Sequence, residues 1–106
     1  MQTTELVSFI QDKIDDMKGR DIVTLDVRGK SSVTEFMIVC SGTSNRHTKS
    51  IADYVAAEAK KAGIAALGIE GQASGEWVLL DLDDVVVHVM LEESRSFYQL
   101  EKLWSA

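Results

Sequence analysis

The chain contains no proline, one cysteine, two histidines and two tryptophans, and these scarcities exclude several classes at once. With Cys40 alone, neither an internal disulfide framework nor a cysteine-rich zinc site can form. Cys40 lies in the apolar run FMIVC, where a buried structural thiol is expected rather than a nucleophile. No apolar segment approaches the ~20 residues needed to cross a bilayer. The opening residues, MQTTELVSF, lack the basic region and long apolar run of a signal peptide, so a cytoplasmic location is expected. Lys and Arg form no block, and the net charge is −6. Gripping nucleic acid takes a basic surface that neutralises phosphates, so little or no direct nucleic-acid binding is expected. An acidic surface suits a basic protein partner better, through complementarity and steering. P-loop and dinucleotide-binding patterns are both missing. No linker, internal repeat or low-complexity segment divides the chain.

What remains is a well-patterned globular sequence of 106 residues, 45% hydrophobic and 26% charged. Such a chain is expected to form one domain over residues 1 to 106, large enough for a core without staples. Over residues 4 to 18, Leu6, Val7, Ile10, Ile14 and Met17 recur at helical spacing. Thr3 or Thr4 can cap that helix and Gly19 can stop it. Residues 21 to 28 read as a strand, followed by the turn Gly29-Lys30-Ser31-Ser32. A second strand over residues 33 to 40 is nearly all apolar towards its end, as expected of a central strand covered on both faces. Residues 41 to 47 then lead into a helix reaching about residue 62, with Ile51, Ala52, Val55, Ala56 and Ala59 as its stripe. That connection carries Gly42, hydroxyls, Arg46 and His47. It reads as ordinary helix capping by Thr43 or Ser44, with anion binding as the alternative. Residues 64 to 71 predict a short strand, and a last helix begins at Glu92-Glu93-Ser94 and runs towards Trp104.

The most informative stretch is residues 76 to 91, EWVLLDLDDVVVHVML, in which two apolar runs flank an acidic turn. It predicts a β-hairpin with Leu82 facing Val85. Counting backwards pairs Trp77 with Met90, Leu79 with His88 and Asp81 with Val86, all on one face because side chains alternate. The other face, with Val78, Leu80, Leu82, Val85, Val87 and Val89, is purely aliphatic and must be core. The element order α-β-β-α-β-β-β-α then predicts an α/β fold (an α+β-like mixed sheet) of about five strands with helices packed on it. The mixed hairpin face admits two readings. In one, a helix covers it as well, since central strands of such sheets are buried on both sides. Alternatively its Trp and Met serve a protein interface, where those residue types are enriched.

Constellations for catalysis are thin. Asp81 and Asp83 are spaced D-x-D, which puts two carboxylates on one side of a strand, as metal-dependent nucleotidyl transfer requires. Asp26 or Glu70 would have to complete a two-metal site. Asp is also an ordinary turn residue, which accounts for Asp83 without chemistry. The sequence alone does not join His47 to His88.

The run from Asp21 to Trp104 resembles the ribosomal silencing factor family, also called Iojap-like, and its bacterial members in particular. The resemblance rests on Gly29-Lys30-Ser31-Ser32, Ser41-Gly42-Thr43-Ser44 with Arg46-His47, Ile51-Ala52-Asp53 and Gly68-Ile69-Glu70-Gly71. It continues through Trp77, Asp81, Asp84-Val85-Val86-Val87-His88-Val89, Arg95, Tyr98 and Leu100-Glu101-Lys102-Leu103-Trp104. Asp83 departs from the pattern, which often has glycine there. The resemblance implies a nucleotidyltransferase-like fold without enzymatic activity or a cofactor. It also implies binding to the large ribosomal subunit through its protein fourteen, on the surface that meets the small subunit. Occupying that surface would block subunit joining and lower translation when nutrients are short; organellar relatives act in large-subunit assembly. Joined to the hairpin reading, it makes exposure of the mixed face the expectation. Trp77, Leu79, Asp81, His88 and Met90 then form a docking surface, with Trp77 and Met90 as apolar anchors. Asp81, Glu92 and Glu93 would meet the partner's basic groups, and Arg95 and Tyr98 would extend the patch. The same face would let two copies pair as a homodimer off the ribosome. The alternative from another class is a metal-dependent nucleotidyltransferase using Asp81 and Asp83.

Overall fold

The computed structural model of the protein describes residues 1–32, 34–98 and 102, with the backbone alone at 97 and 98. In chain order the elements are α1 (Thr3–Asp16), β1 (Arg20–Asp26), β2 (Phe36–Gly42), α2 (Asn45–Lys61), β3 (Gly68–Glu70), β4 (Trp77–Asp81), β5 (Val85–Leu91) and α3 (Glu92–Tyr98). This is the expected order. The expected continuation of the last helix to Trp104 lies outside the described residues, apart from helical Lys102.

The five strands form one mixed sheet in the order β1-β2-β5-β4-β3. The pairs β1–β2, β4–β5 and β3–β4 are antiparallel, whereas β2 and β5 lie parallel at the centre. A parallel neighbour cannot follow through a tight turn. Here α2 carries the chain across the sheet to β3 at the far edge, and the β4–β5 hairpin returns it to β2.

Hairpin pairing follows the expected register, with Trp77 opposite Met90, Leu79 opposite His88 and Asp81 opposite Val86. The Leu82 amide donates to the Val85 carbonyl at 2.9 Å, which closes the turn over Asp83 and Asp84. Val78, Leu80, Leu82, Val85, Val87 and Val89 are all buried on the face covered by the helices. There they meet Leu6, Ile10 and Ile14 of α1 and Ile51, Ala52, Val55 and Ala59 of α2. Fully burying such aliphatic side chains contributes about 1.5–3 kcal/mol each, so this layer supplies most of the fold's driving force. Ile38 and Cys40 of β2 point the same way, and burial pushes the Cys40 thiol up to about 12, which makes it inert packing.

Local details differ from expectation. Gln2 stands at the N-cap of α1 without a side-chain cap bond, and the Thr3 hydroxyl instead donates to the Asp84 carboxylate at 3.1 Å. This ties the first turn of α1 to the hairpin tip. Strand β3 is shorter than residues 64 to 71, because the Ile64 amide still donates back to the Ala59 carbonyl at the end of α2. Gly71 has φ +86, and a Cβ there would run into the Trp77 carbonyl oxygen. Only glycine lets the chain after β3 pass this close to the start of β4.

Candidate functional site

The second face of the sheet is built from the alternate residues of the same strands. On β2 these are Met37, Val39 and Ser41; on β5, Val86, His88 and Met90; on β4, Trp77, Leu79 and Asp81. This face divides in two. Towards β1 and β2, Val27, Met37, Val39 and Met90 form a second buried cluster, with Leu25 and Trp77 packed at its margin. Towards β4, Trp77, Leu79, Asp81 and Val86 remain half-buried and partly open to solvent. Four residue steps along the strand separate Trp77 from Asp81, roughly 13 Å, which sets the length of the open strip.

Trp77 is held from the side. Its indole N–H donates to Nδ1 of His88 at 2.9 Å, and the two ring centroids lie 5.8 Å apart at 48°. His88 is 5% exposed, and burial alone pushes its pKa down to about 4, so it is neutral at physiological pH. Met90, directly opposite Trp77, is 0% exposed. The expectation that Met90 and His88 stand open on the surface therefore does not hold, since both are buried. They form the floor and side wall of the Trp77 position, where Met90 is buried in one cluster with Met37 and Val39 of β2 and with Val27, just past β1.

The remaining expected site residues are dispersed around this strip. Glu92 and Glu93 are exposed and border a cleft of about 490 Å³ shared with Arg20 and Asp21, beyond the Trp77 end. Arg95 donates to the Ser41 hydroxyl at 2.9 Å, so it braces α3 against β2. The Tyr98 side chain lies outside the described residues. Val86 belongs to the open strip although only its parity on the strand, opposite Asp81, marked it. The Trp77–His88 bond was also unforeseen. Its signal was the diagonal placement of a donor-only ring and an acceptor-capable ring on one hairpin face.

The D-x-D pair is a turn device. One Asp81 carboxylate oxygen accepts from the Asp83 amide at 2.9 Å, and Asp83 itself has φ +72. Asp26 ends β1 at one edge of the sheet and Glu70 ends β3 at the other. Among the described residues no three His, Cys, Asp or Glu side chains converge as a metal site would require. The left-handed backbone at Asp83 explains why glycine suits this position, since it carries no Cβ penalty. Asp83→Gly is expected to raise stability by about 0.5 kcal/mol, or roughly 2–4 °C in Tm, measurable by calorimetry.

The loop before α2 is likewise engaged internally. Ser44 caps the helix by accepting from the His47 amide at 3.1 Å, and the Thr43 amide donates to His47 Nδ1 at 2.9 Å. His47 Nε2 reaches the Met17 carbonyl at 2.7 Å, so this ring joins the end of α1 to the start of α2 and has no part in the Trp77 site. Capping thus accounts for the loop, with the Thr43, His47 and Thr48 amides all bonded within it.

Comparison with known proteins gives this surface a context. The family model described as "Ribosomal silencing factor during starvation" matches residues 1–106. The chain belongs to the ribosomal silencing factor family. The ribosomal silencing factor of Haemophilus influenzae is 48% identical over 100 residues, covering 94% of this chain and 98% of that protein. A crystal structure of a Chromobacterium violaceum protein superposes with a TM-score of 0.97 at 43% identity, covering 100% of this chain and 88% of that one. Family resemblance extends to organelles. A mouse protein named for mitochondrial assembly of the ribosomal large subunit is 32% identical over 103 residues, which cover 94% of this chain and 43% of the mouse protein.

Proposed function

We propose that this protein is a non-enzymatic translational repressor. It binds the large ribosomal subunit through protein fourteen, on the surface that meets the small subunit, and blocks joining by occupying that surface. The observation that carries this reading is the open strip on β4 and β5, in which a half-buried Trp77 stands beside Leu79, Val86 and Asp81. A rigid aromatic flanked by aliphatic surface and a carboxylate is the chemistry expected for docking on a basic protein. Support also comes from the family and from the mouse relative's name, which points to the large subunit as the partner.

Repression of this kind needs no covalent step, cofactor or energy source. With a net charge of −6 the protein is poorly suited to ribosomal RNA, so affinity would come from protein contacts. Asp81, Glu92 and Glu93 would act at the rim, raising the rate of encounter more than the lifetime of the complex. Away from the ribosome the same strip would pair two copies, which concentration-dependent light scattering measures. The test of the main reading is co-sedimentation with purified large and small subunits, before and after they are mixed. Saturable binding to free large subunits, together with fewer joined ribosomes, is the expected result. No binding at micromolar protein would overturn it.

A further inference from the structure

The buried polar side-chain atoms of the described residues have partners with one exception, Nε2 of His88. The explanation lies at the other ring nitrogen. An indole N–H can only donate, so Nδ1, 2.9 Å from Trp77 Nε1, must be the unprotonated acceptor. The proton of the neutral ring is thereby forced onto Nε2, where no partner waits among the described residues. Around it on the same face stand Val39, Val86, Leu79 and Met90, all apolar. A leucine at position 88 would fill this site without leaving an unmatched donor. What only the imidazole adds is an acceptor fixed beside the indole.

We infer that His88 is a positioning residue for Trp77, whose Nδ1 pins the indole in the one orientation that a partner meets. This rests on the reading that Trp77 is a docking anchor. His88, 5% exposed, acts through Trp77 and touches no partner itself. Three constraints converge on the tryptophan. The close pass of Gly71 holds its backbone, Met90 lies opposite it on the neighbouring strand, and His88 sets its ring. An anchor already ordered before docking loses less side-chain freedom on binding, which is where affinity is gained without any new contact.

The test compares variants at positions 88 and 77, singly and together, in two readouts. His88→Leu removes the acceptor, His88→Asn offers an oxygen near the place of Nδ1, and Trp77→Phe removes the donor. The readouts are the Trp77 indole N–H resonance in NMR spectra, assigned by its loss in Trp77→Phe, and equilibrium binding to purified large subunits. In His88→Leu the indole resonance is expected to move upfield and exchange faster with water, and affinity to fall roughly three- to tenfold. His88→Asn is expected to recover both in part, which a purely space-filling role would not allow. In the Trp77→Phe background, His88→Leu is expected to change affinity no further. Native affinity in a folded His88→Leu protein, with weakened binding in Trp77→Ala, would overturn the positioning role and leave the anchor standing. Native affinity in Trp77→Ala would remove the anchor itself. If His88→Leu does not fold, His88→Asn and Trp77→Phe decide. A retained indole bond with near-native binding in the first and weakened binding in the second supports the role, and native binding in Trp77→Phe overturns it.

Discussion

Replacing Trp77 by alanine is expected to weaken binding to large ribosomal subunits by at least about thirtyfold, close to 2 kcal/mol of binding free energy. The figure follows from the kind of position Trp77 occupies. It is half-buried and hydrogen-bonded to His88, and it stands at the margin of the second apolar cluster with Met90 opposite. An aromatic presented in this way buries a large area on docking at little cost in lost motion. The fold should survive, because the opposite side of β4, with Val78 and Leu80 wholly buried, keeps its packing against the helices. Removing a half-buried ring is nonetheless expected to lower stability by about 2 kcal/mol. Binding should therefore be measured well below the melting transition, with circular dichroism showing the protein folded. By contrast, Asp81→Asn is expected to change affinity only a few-fold and mainly at low salt, as charges at the rim of an interface do. A Trp77→Ala protein that stays folded and binds as tightly as the native chain would exclude this residue as an anchor.

Acid should destabilise the protein through His88 well before Asp26 responds. Burial lowers the His88 pKa from 6.5 to about 4 in the folded protein. The unfolded chain therefore binds a proton at a pH where the folded one does not. Stability contributed by the neutral ring is complete above about pH 6.5, falls by up to ~1.4 kcal/mol per pH unit between 6.5 and 4, and falls no further below that. The whole loss is about 3 kcal/mol, a large share of a typical domain's 5–15 kcal/mol. Asp26, which its hydrogen bonds with Arg28 hold at about 2, responds in a lower window, as pH drops below the ordinary aspartate value of 3.8. Urea unfolding at pH 7, 6 and 5 should show the midpoint falling steadily, and His88→Asn should flatten that slope. An equal slope in the variant would mean that another group carries the acid sensitivity.

How far the sequence spoke depended on whether an answer was local. The hairpin register was legible because two apolar runs flank an Asp-Asp turn and one face is aliphatic without exception, so a slip by one residue would bury Asp81 and His88 among the helices. Both long helices were legible from their periodicity. Ser41 and Gly42, read as connection, instead pair with Arg20 and Leu91 and extend β2, because a neighbouring strand on each side supplies bonds that local preference could not reveal. The same limit governed the site. A single hairpin shows which residues share a face but not what packs with them, and the cluster in which Met90 is buried draws on Val27, Met37 and Val39, some fifty positions away or more. Trp77, Leu79 and Asp81 stayed open for the complementary reason, since the short strand β3 beside them brings only Gly68, Ile69 and Glu70.

The parallel seam at the centre of the sheet also bears on how the chain assembles. Each hairpin, β1–β2 or β4–β5, can find its register within its own segment, on the microsecond scale of such events. Joining them means pairing Phe36 with Val85, a closure across 49 positions, before any of the central ladder forms. Closures over such distances slow folding, because chain entropy is spent before the contacts that reward it exist. Until then the aliphatic side of β4 and β5 lacks Leu6, Ile10 and Ile14 of α1 and Ile38 of β2, and a lone hairpin is marginal in water. The surface carrying Trp77 is therefore not transferable as a peptide: it exists only once the two halves of the chain have met.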